Sequence, residues 1–318
     1  MSPEVRGPAP RRGARKAITS AGAIVREGRS WDDVRGTVFR YGLAACVGVG
    51  VIALSTLVID ALITGAPRLN LDLVTSMPSS RPTAAGIQSA IVGSIFLMVG
   101  VALTVLPIGV ASAVYLEEYA DKDRWWNKLI EVNIQNLAAV PSIVYGILGL
   151  AFIVRGPLGL GDVVAAGSLT LALLVLPTVI LASREAIRAV PDSIRQGALA
   201  LGATRLQTIR TQVLPASIPG IATGMILALS RAIGETAPLL LVGGVTFITF
   251  NPEFSEAGGF GSQFTALPLT IYNYVARPQE EFRVVAAAGI IILLILLVGM
   301  NSFAIALRNR YKKKMEDS

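Results

Sequence analysis

Six stretches of this chain are apolar for long enough to cross a lipid bilayer, and that feature most limits what the chain can fold into. A helix rises about 1.5 Å per residue, so a hydrocarbon core of roughly 30 Å takes about 20 apolar residues. Residues 39–63, 87–115, 137–154, 163–182, 219–248 and 284–307 all meet that length or come close to it. The expectation is an all-α integral membrane protein with six transmembrane helices. Composition agrees: 15% of the 318 residues are charged and 53% are hydrophobic, whereas soluble domains run nearer a quarter charged.

The cations choose an orientation. Lys and Arg number 8 in residues 1–38, 3 in 116–136, 5 in 183–218 and 5 after Leu307. The loops opposite carry fewer, Arg68, Arg81 and Arg277 among them. Because basic loops stay in the cytoplasm, both termini are expected inside, in a bacterial or archaeal cytoplasmic membrane. Residues 1–38 read as a basic tail, mostly disordered; its long basic region lacks the short apolar core and cleavage site of a signal peptide. Residues 308–318 read as a basic C-terminus. The sequence pI of 9.8 therefore reflects membrane edges, and no nucleic-acid partner is expected.

What is missing narrows the chemistry. There is one Cys (Cys46) and no His, so no disulfide framework and no obvious metal or haem ligand set is expected. The commonest general base is absent as well. No G-x-x-x-x-G-K-[ST] phosphate loop occurs, so ATP is not expected to bind here by that route. No catalytic residue, metal or cofactor is assigned, and an intramembrane enzyme is the weakest reading.

Pro107, Pro141, Pro177 and Pro238 fall in spans two to five in turn, while spans one and six carry none. A proline frees a carbonyl and kinks a helix, so these four read as a moving, solute-lining core. Within span five, "LALSRAIGETAPLLL" (227–241) places Arg231 and Glu235 four residues apart. Counted from Pro219, Arg231 lies about 18 Å into the core. An arginine there costs at least about 2.5 kcal/mol, so it must be paired or face a wet cavity. Glu235, one turn on, shares its face. The bland alternative is an intrahelical pair that only makes the span insertable.

The long loop 183–218 is polar enough to leave the membrane and patterned enough to fold. Ile194, Ala198 and Leu201 recur at helical spacing after Pro191, Gly202 breaks the helix, and Leu206, Ile209 and Val213 outline a second one ending at Leu214-Pro215. A helix–Gly–helix knob could press into another protein's groove or lie on the headgroups of membrane lipid.

"RQGALALGATRLQTIRTQVLP" within that loop resembles the EAA loop of ABC-importer permeases. Ala198, Gly202, Leu214 and Pro215 hold the expected positions; Gln196 and Gly197 stand where Glu-Ala is usual, and Gln212 replaces an Ile. "GVASAVYLEEYA", "VPSIVYGILGLAFIV", "LSRAIGETAPLLLVGG" and "FTALPLTIYNYVARPQEEF" further resemble the PstA family of phosphate-importer permeases. The likeness covers roughly 87–307, and "RAIGETAPLL" is its specific part. It implies the type I permease fold, with 87–307 as its core. It also implies a second permease of PstC type, two ATPase subunits of PstB type that bind the ATP, and an external phosphate-binding protein of PstS type. On this resemblance Gln196, Gly197, Ala198, Gly202, Ala203, Leu214 and Pro215 would couple to the ATPase. Arg231 and Glu235 would line the path of inorganic phosphate: the guanidinium offers bidentate donation, and Glu235 competes so that the anion is released. A permease for sulfate, molybdate or phosphonate, or a secondary transporter built on inverted repeats, are the alternatives.

Overall fold

A computed structural model describes residues 31–121, 123–252 and 259–316. The expected tail lies outside them up to residue 30. Among the described residues every regular element is a helix. The chain divides into two units, one reaching Ile59 and one running from Asp60. The described part of the first is most of α1 (Trp31–Gly65). Phe39, Val47, Ile52 and Leu57 stand exposed along it, as suits a helix that is apolar all round and solvated by lipid.

The second unit holds α2 (Leu71–Thr75), α3 (Gln88–Val114), α4 (Trp125–Ala138), α5 (Ser142–Leu148) and α6 (Val164–Arg188). After these come α7 (Asp192–Ala200), α8 (Arg205–Thr208), α9 (Leu214–Gly234), α10 (Ala237–Leu241), α11 (Leu267–Val275) and α12 (Glu281–Glu316). Its core is the seam of α3 and α6, where Leu97, Val101 and Val105 pack with Leu171, Val175 and Val179. Small residues bring the two backbones together. A Cβ at Gly100 would collide with Ser168, and one at Gly109 would come within 2.8 Å of Val179 Cγ1. Away from this seam, Leu103, Val298 and Phe303 are exposed, a face that suits hydrocarbon.

Among the described residues five helices are long and apolar enough to cross a membrane, and a bent pair makes six if it is one span. Two of the expected spans differ from a simple rod. Residues 137–154 are not one straight helix: α4 ends at Ala138, and the chain turns 108° before Ser142–Val154. Pro141 is the cause, since the residue before a proline is driven out of the helical region. Residues 219–248 are not one helix either. α9 begins at Leu214 and stops at Gly234, Glu235 is extended (φ −77°, ψ 122°), and α10 follows. A ring at Pro238 clashes with the carbonyl four residues earlier, on Gly234. Pro107 and Pro177, by contrast, lie inside continuous helices, Pro177 buried and Pro107 exposed.

A smaller cluster at the other end of the bundle joins Leu73, Ile87, Leu267, Tyr274 and Phe282. The Tyr274 hydroxyl donates to the Gly86 carbonyl at 2.7 Å. Burial pushes its pKa up to about 12, which keeps the phenol a donor at any physiological pH.

Candidate functional site

The first site forms where two helix breaks meet. α10 packs on α5 so closely that a Cβ at Gly146 would lie 2.7 Å from the Pro238 Cα. The break at Glu235–Thr236 thus sits against the α4–α5 elbow. Tyr145 spans that elbow, its hydroxyl donating to the Leu137 carbonyl at 2.8 Å. Arg231 is in the last turn of α9 and near enough to act electrostatically on Tyr145. Its Nε donates to Glu235 Oε1 at 3.4 Å, with side-chain exposures of 41% and 19%. The expectation that the two share one helical face is corrected, because Glu235 lies just past the helix end. The guanidinium is therefore held at one point and open elsewhere. One turn before the break, the Ser230 hydroxyl and the Asn301 carboxamide of α12 pair at 2.8 Å. Asn301 gave no signal beyond being a polar residue in an apolar run.

The second site is the loop from Ala189 to Val213. α7 ends at Gly202, whose φ of +86° lies in the left-handed region that glycine enters without strain. Thr204 then starts α8 with a capping box: its Oγ1 accepts the Gln207 amide at 3.3 Å, and Gln207 Oε1 accepts the Thr204 amide at 2.8 Å. The second helix does not end at Leu214-Pro215 as the pattern predicts. A π turn, Ile209–Val213, carries it into α9, and Pro215, which has no N–H to donate, follows directly on that turn. Gln196, Gly197 and Gly202 are exposed, while Ala198, Ala203, Leu214 and Pro215 are half-buried. Three apolar side chains flank the bend in the open, Leu199, Leu206 and above all Leu201, which is 91% exposed.

Beneath this loop lies a charge network that pattern reading did not find. α3 ends in a π turn, Tyr115–Tyr119, carrying Glu117 and Glu118 side by side. Glu117 Oε1 accepts Arg184 Nε at 2.9 Å and Arg188 Nη2 at 2.6 Å, and Arg184 Nη2 also donates to Glu131 Oε1 at 2.9 Å. Three helices, α3, α4 and α6, are tied by these bonds. Glu118 Oε1 takes a different arginine, accepting Arg195 Nε at 3.1 Å and Nη2 at 3.0 Å. Arg195 further donates to the carbonyls of Val190 at 2.5 Å and Ile187 at 2.9 Å and to Asp192 Oδ1 at 3.1 Å. All five of its N–H donors are used. The only hint in the sequence is the pair of carboxylates in "YLEEYA" at a helix end.

Among the described residues no group of His, Cys, Asp and Glu could hold a metal. The sequence pattern of the binding-protein-dependent transport system inner membrane component family matches residues 105–313. A probable ABC transporter permease protein of Bacillus subtilis, YqgI, is 31% identical over 86% of this chain and 95% of its own length. The phosphate transport system permease protein PstA of Mycobacterium leprae is 36% identical over 71% of each chain. A bacterial alginate ABC transporter, solved with its alginate-bound periplasmic protein, has a chain that superposes with TM-score 0.62 at 16% identity. The match covers 89% of this chain and 98% of that one, which establishes the type I permease fold. ABC-importer permeases work with ATPase subunits and a binding protein and are not themselves enzymes. The chain belongs to the binding-protein-dependent transport system inner membrane component family, as a multi-pass permease subunit of an ABC importer.

Proposed function

We propose that this permease imports inorganic phosphate, with a second permease completing the path, two ATPase subunits driving it and an external binding protein delivering the anion. The observation that carries the reading is Arg231, a permanently charged fork at a helix break, held by one 3.4 Å contact to Glu235. A phosphate oxygen pair matches that fork bidentately. Glu235 reoccupies it afterwards, so the site does not trap its anion. The likeness to phosphate transport system permease proteins of Mycobacterium leprae and Yersinia pestis supports the same substrate. Arg155 and Arg283 fall in the same outer set of segments as Arg68, Arg81 and Arg277, and the larger basic excess opposite them still puts both termini in the cytoplasm. Loop 183–218 then faces the ATPase, and Leu201 is the side chain best placed to enter a groove on it.

Uptake of labelled phosphate by cells carrying variants at wild-type membrane levels tests the reading. Arg231→Gln should abolish uptake or reduce it at least about tenfold, and Arg231→Lys should retain a part, since a point charge cannot reproduce the fork. The joint change Arg231→Gln with Glu235→Gln should stay inactive. Near-normal uptake by the double variant would leave the pair a means of insertion only. Competition by sulfate or molybdate as strong as by phosphate would move the assignment to another oxyanion. Ala203→Glu at the loop bend should uncouple ATP hydrolysis from uptake, and normal coupling would remove the loop from that role.

A further inference from the structure

We infer that the terminal turn of α3 is the contact through which movement of the coupling loop reaches the membrane-spanning helices, with Glu118 and Tyr119 as the positioning residues. This rests on the reading of loop 183–218 as the ATPase contact. The turn holds three neighbouring residues that reach three different helices. Glu117 takes Arg184 and Arg188 of α6. Glu118 takes Arg195 on α7, the first arm of the loop. Tyr119 lies under Arg205 on α8, the second arm, with the guanidinium carbon 5.3 Å from the ring centroid. One turn of one helix therefore grips both arms on either side of the Gly202 bend.

A wide turn suits this task, because π turns interrupt an α-helix at functional positions more often than elsewhere. The pairings also divide by what they join. Glu117 lies 4% exposed in its ion pairs and binds spans to spans, so it holds the bundle together whatever the loop does. Arg195 is different. Its bonds to Ile187, Val190 and Asp192 make it one piece with the end of α6 and the start of α7, and the two bonds to Glu118 reach out from that piece to α3. A push on the loop is delivered to Arg195 as a rigid block and passes to α3 through a carboxylate that is itself buried, 7% exposed. Water does not readily replace such a contact, so the link does not slip as an exposed pair would. α3 in turn packs along α6 and touches α9, the helix that carries Arg231.

The test compares three variants in the assembled transporter reconstituted in vesicles, measuring ATP hydrolysed per labelled inorganic phosphate taken up. Glu118→Gln should keep the ATPase subunit bound and hydrolysis within about twofold of wild type, while that ratio rises at least about fivefold. Tyr119→Leu, which keeps the apolar body and loses the ring, should raise it about twofold. Glu117→Gln should lower the thermal midpoint yet leave the ratio unchanged, since its bonds to Arg184 and Arg188 join it to α6 and not to α7 or α8, the two arms of the bend. A wild-type ratio in Glu118→Gln with normal uptake overturns the inference. If Glu118→Gln does not assemble, an unchanged ratio in Tyr119→Leu overturns it instead. Ala203→Glu measured in parallel separates the two readings: wild-type behaviour there removes the loop as ATPase contact, whereas uncoupling there beside a normal Glu118→Gln removes only the link.

Discussion

Arg231 and Arg184 are both arginines near the ends of membrane-crossing helices, and their surroundings differ in every respect that matters. Arg184 is 6% exposed and spends its fork on two carboxylates at 2.9 Å, Glu117 and Glu131. Arg231 is 41% exposed and meets one carboxylate at 3.4 Å. The first arrangement has no room for a competitor. The second has little to lose when a competitor arrives. A buried, multiply bonded pair is costly to break, while a half-exposed pair four residues apart contributes only a few tenths of a kcal/mol. On the proposed function, structure and transport draw on opposite kinds of ion pair.

That contrast can be broken at its rigid end. Arg184→Met takes one of two arginines from the buried Glu117, leaving Arg188 at 2.6 Å, and should destabilise the protein by about 1–3 kcal/mol, the cost of an incompletely satisfied buried group. Thermal unfolding in detergent should show a large fall in midpoint, with much of it recovered when Glu117→Gln is added. An unchanged midpoint would mean the network is as loose as the Arg231 pair.

Between the two extremes lies the loop bend. Nothing approaches within 4 Å of a Cβ built at Gly202, so Gly202→Ala meets no clash and pays only for its φ of +86°. The left-handed conformation costs roughly 1–2 kcal/mol in a residue with a Cβ. Trypsin cleavage at Arg205 and Arg210 should accelerate about tenfold if local opening controls it, and an unchanged rate would place the strain elsewhere. Thr204→Ala removes the cap from α8, worth about 1 kcal/mol, and should accelerate the same cleavage about fivefold.

The smallest change in stability is expected from the pair proposed to meet the anion. Arg231→Gln with Glu235→Gln should move the thermal midpoint by no more than about a degree, in keeping with a few tenths of a kcal/mol for a single long ion pair at a half-exposed arginine. The same variant is expected to lose uptake. A large fall in midpoint would turn the pair into a structural bond and erase the comparison.

Some of this was readable before any coordinates. The helix–Gly–helix loop followed from Gly202 and the spacing of Ile194, Ala198 and Leu201, because a bend of that kind is a local property. Arg231 and Glu235 were conspicuous as charges in an apolar run. The partners of Glu117 and Glu118 were not readable, since they lie 67 and 77 residues away and nothing in the spacing of two glutamates names an arginine on another helix. The prolines show the same limit. Four looked alike in the sequence, yet Pro107 and Pro177 are carried within continuous helices and Pro141 and Pro238 mark breaks.

By itself, then, the sequence determined which segments are long and apolar enough to cross a membrane and where the basic residues fall between them. Both depend on run length and charge, which a bilayer reads one segment at a time. Only the tertiary structure decided where those segments break, because a proline's missing bond is tolerated or not according to what packs around it. It also decided which charges are locked and which are left open, since the cost of an ion pair depends on the burial that other helices impose. Arg184 and Arg231 are the same residue type in similarly apolar helices. What separates them is the packing: α3 and α4 enclose Arg184, and the break after Gly234 leaves Arg231 half in the open.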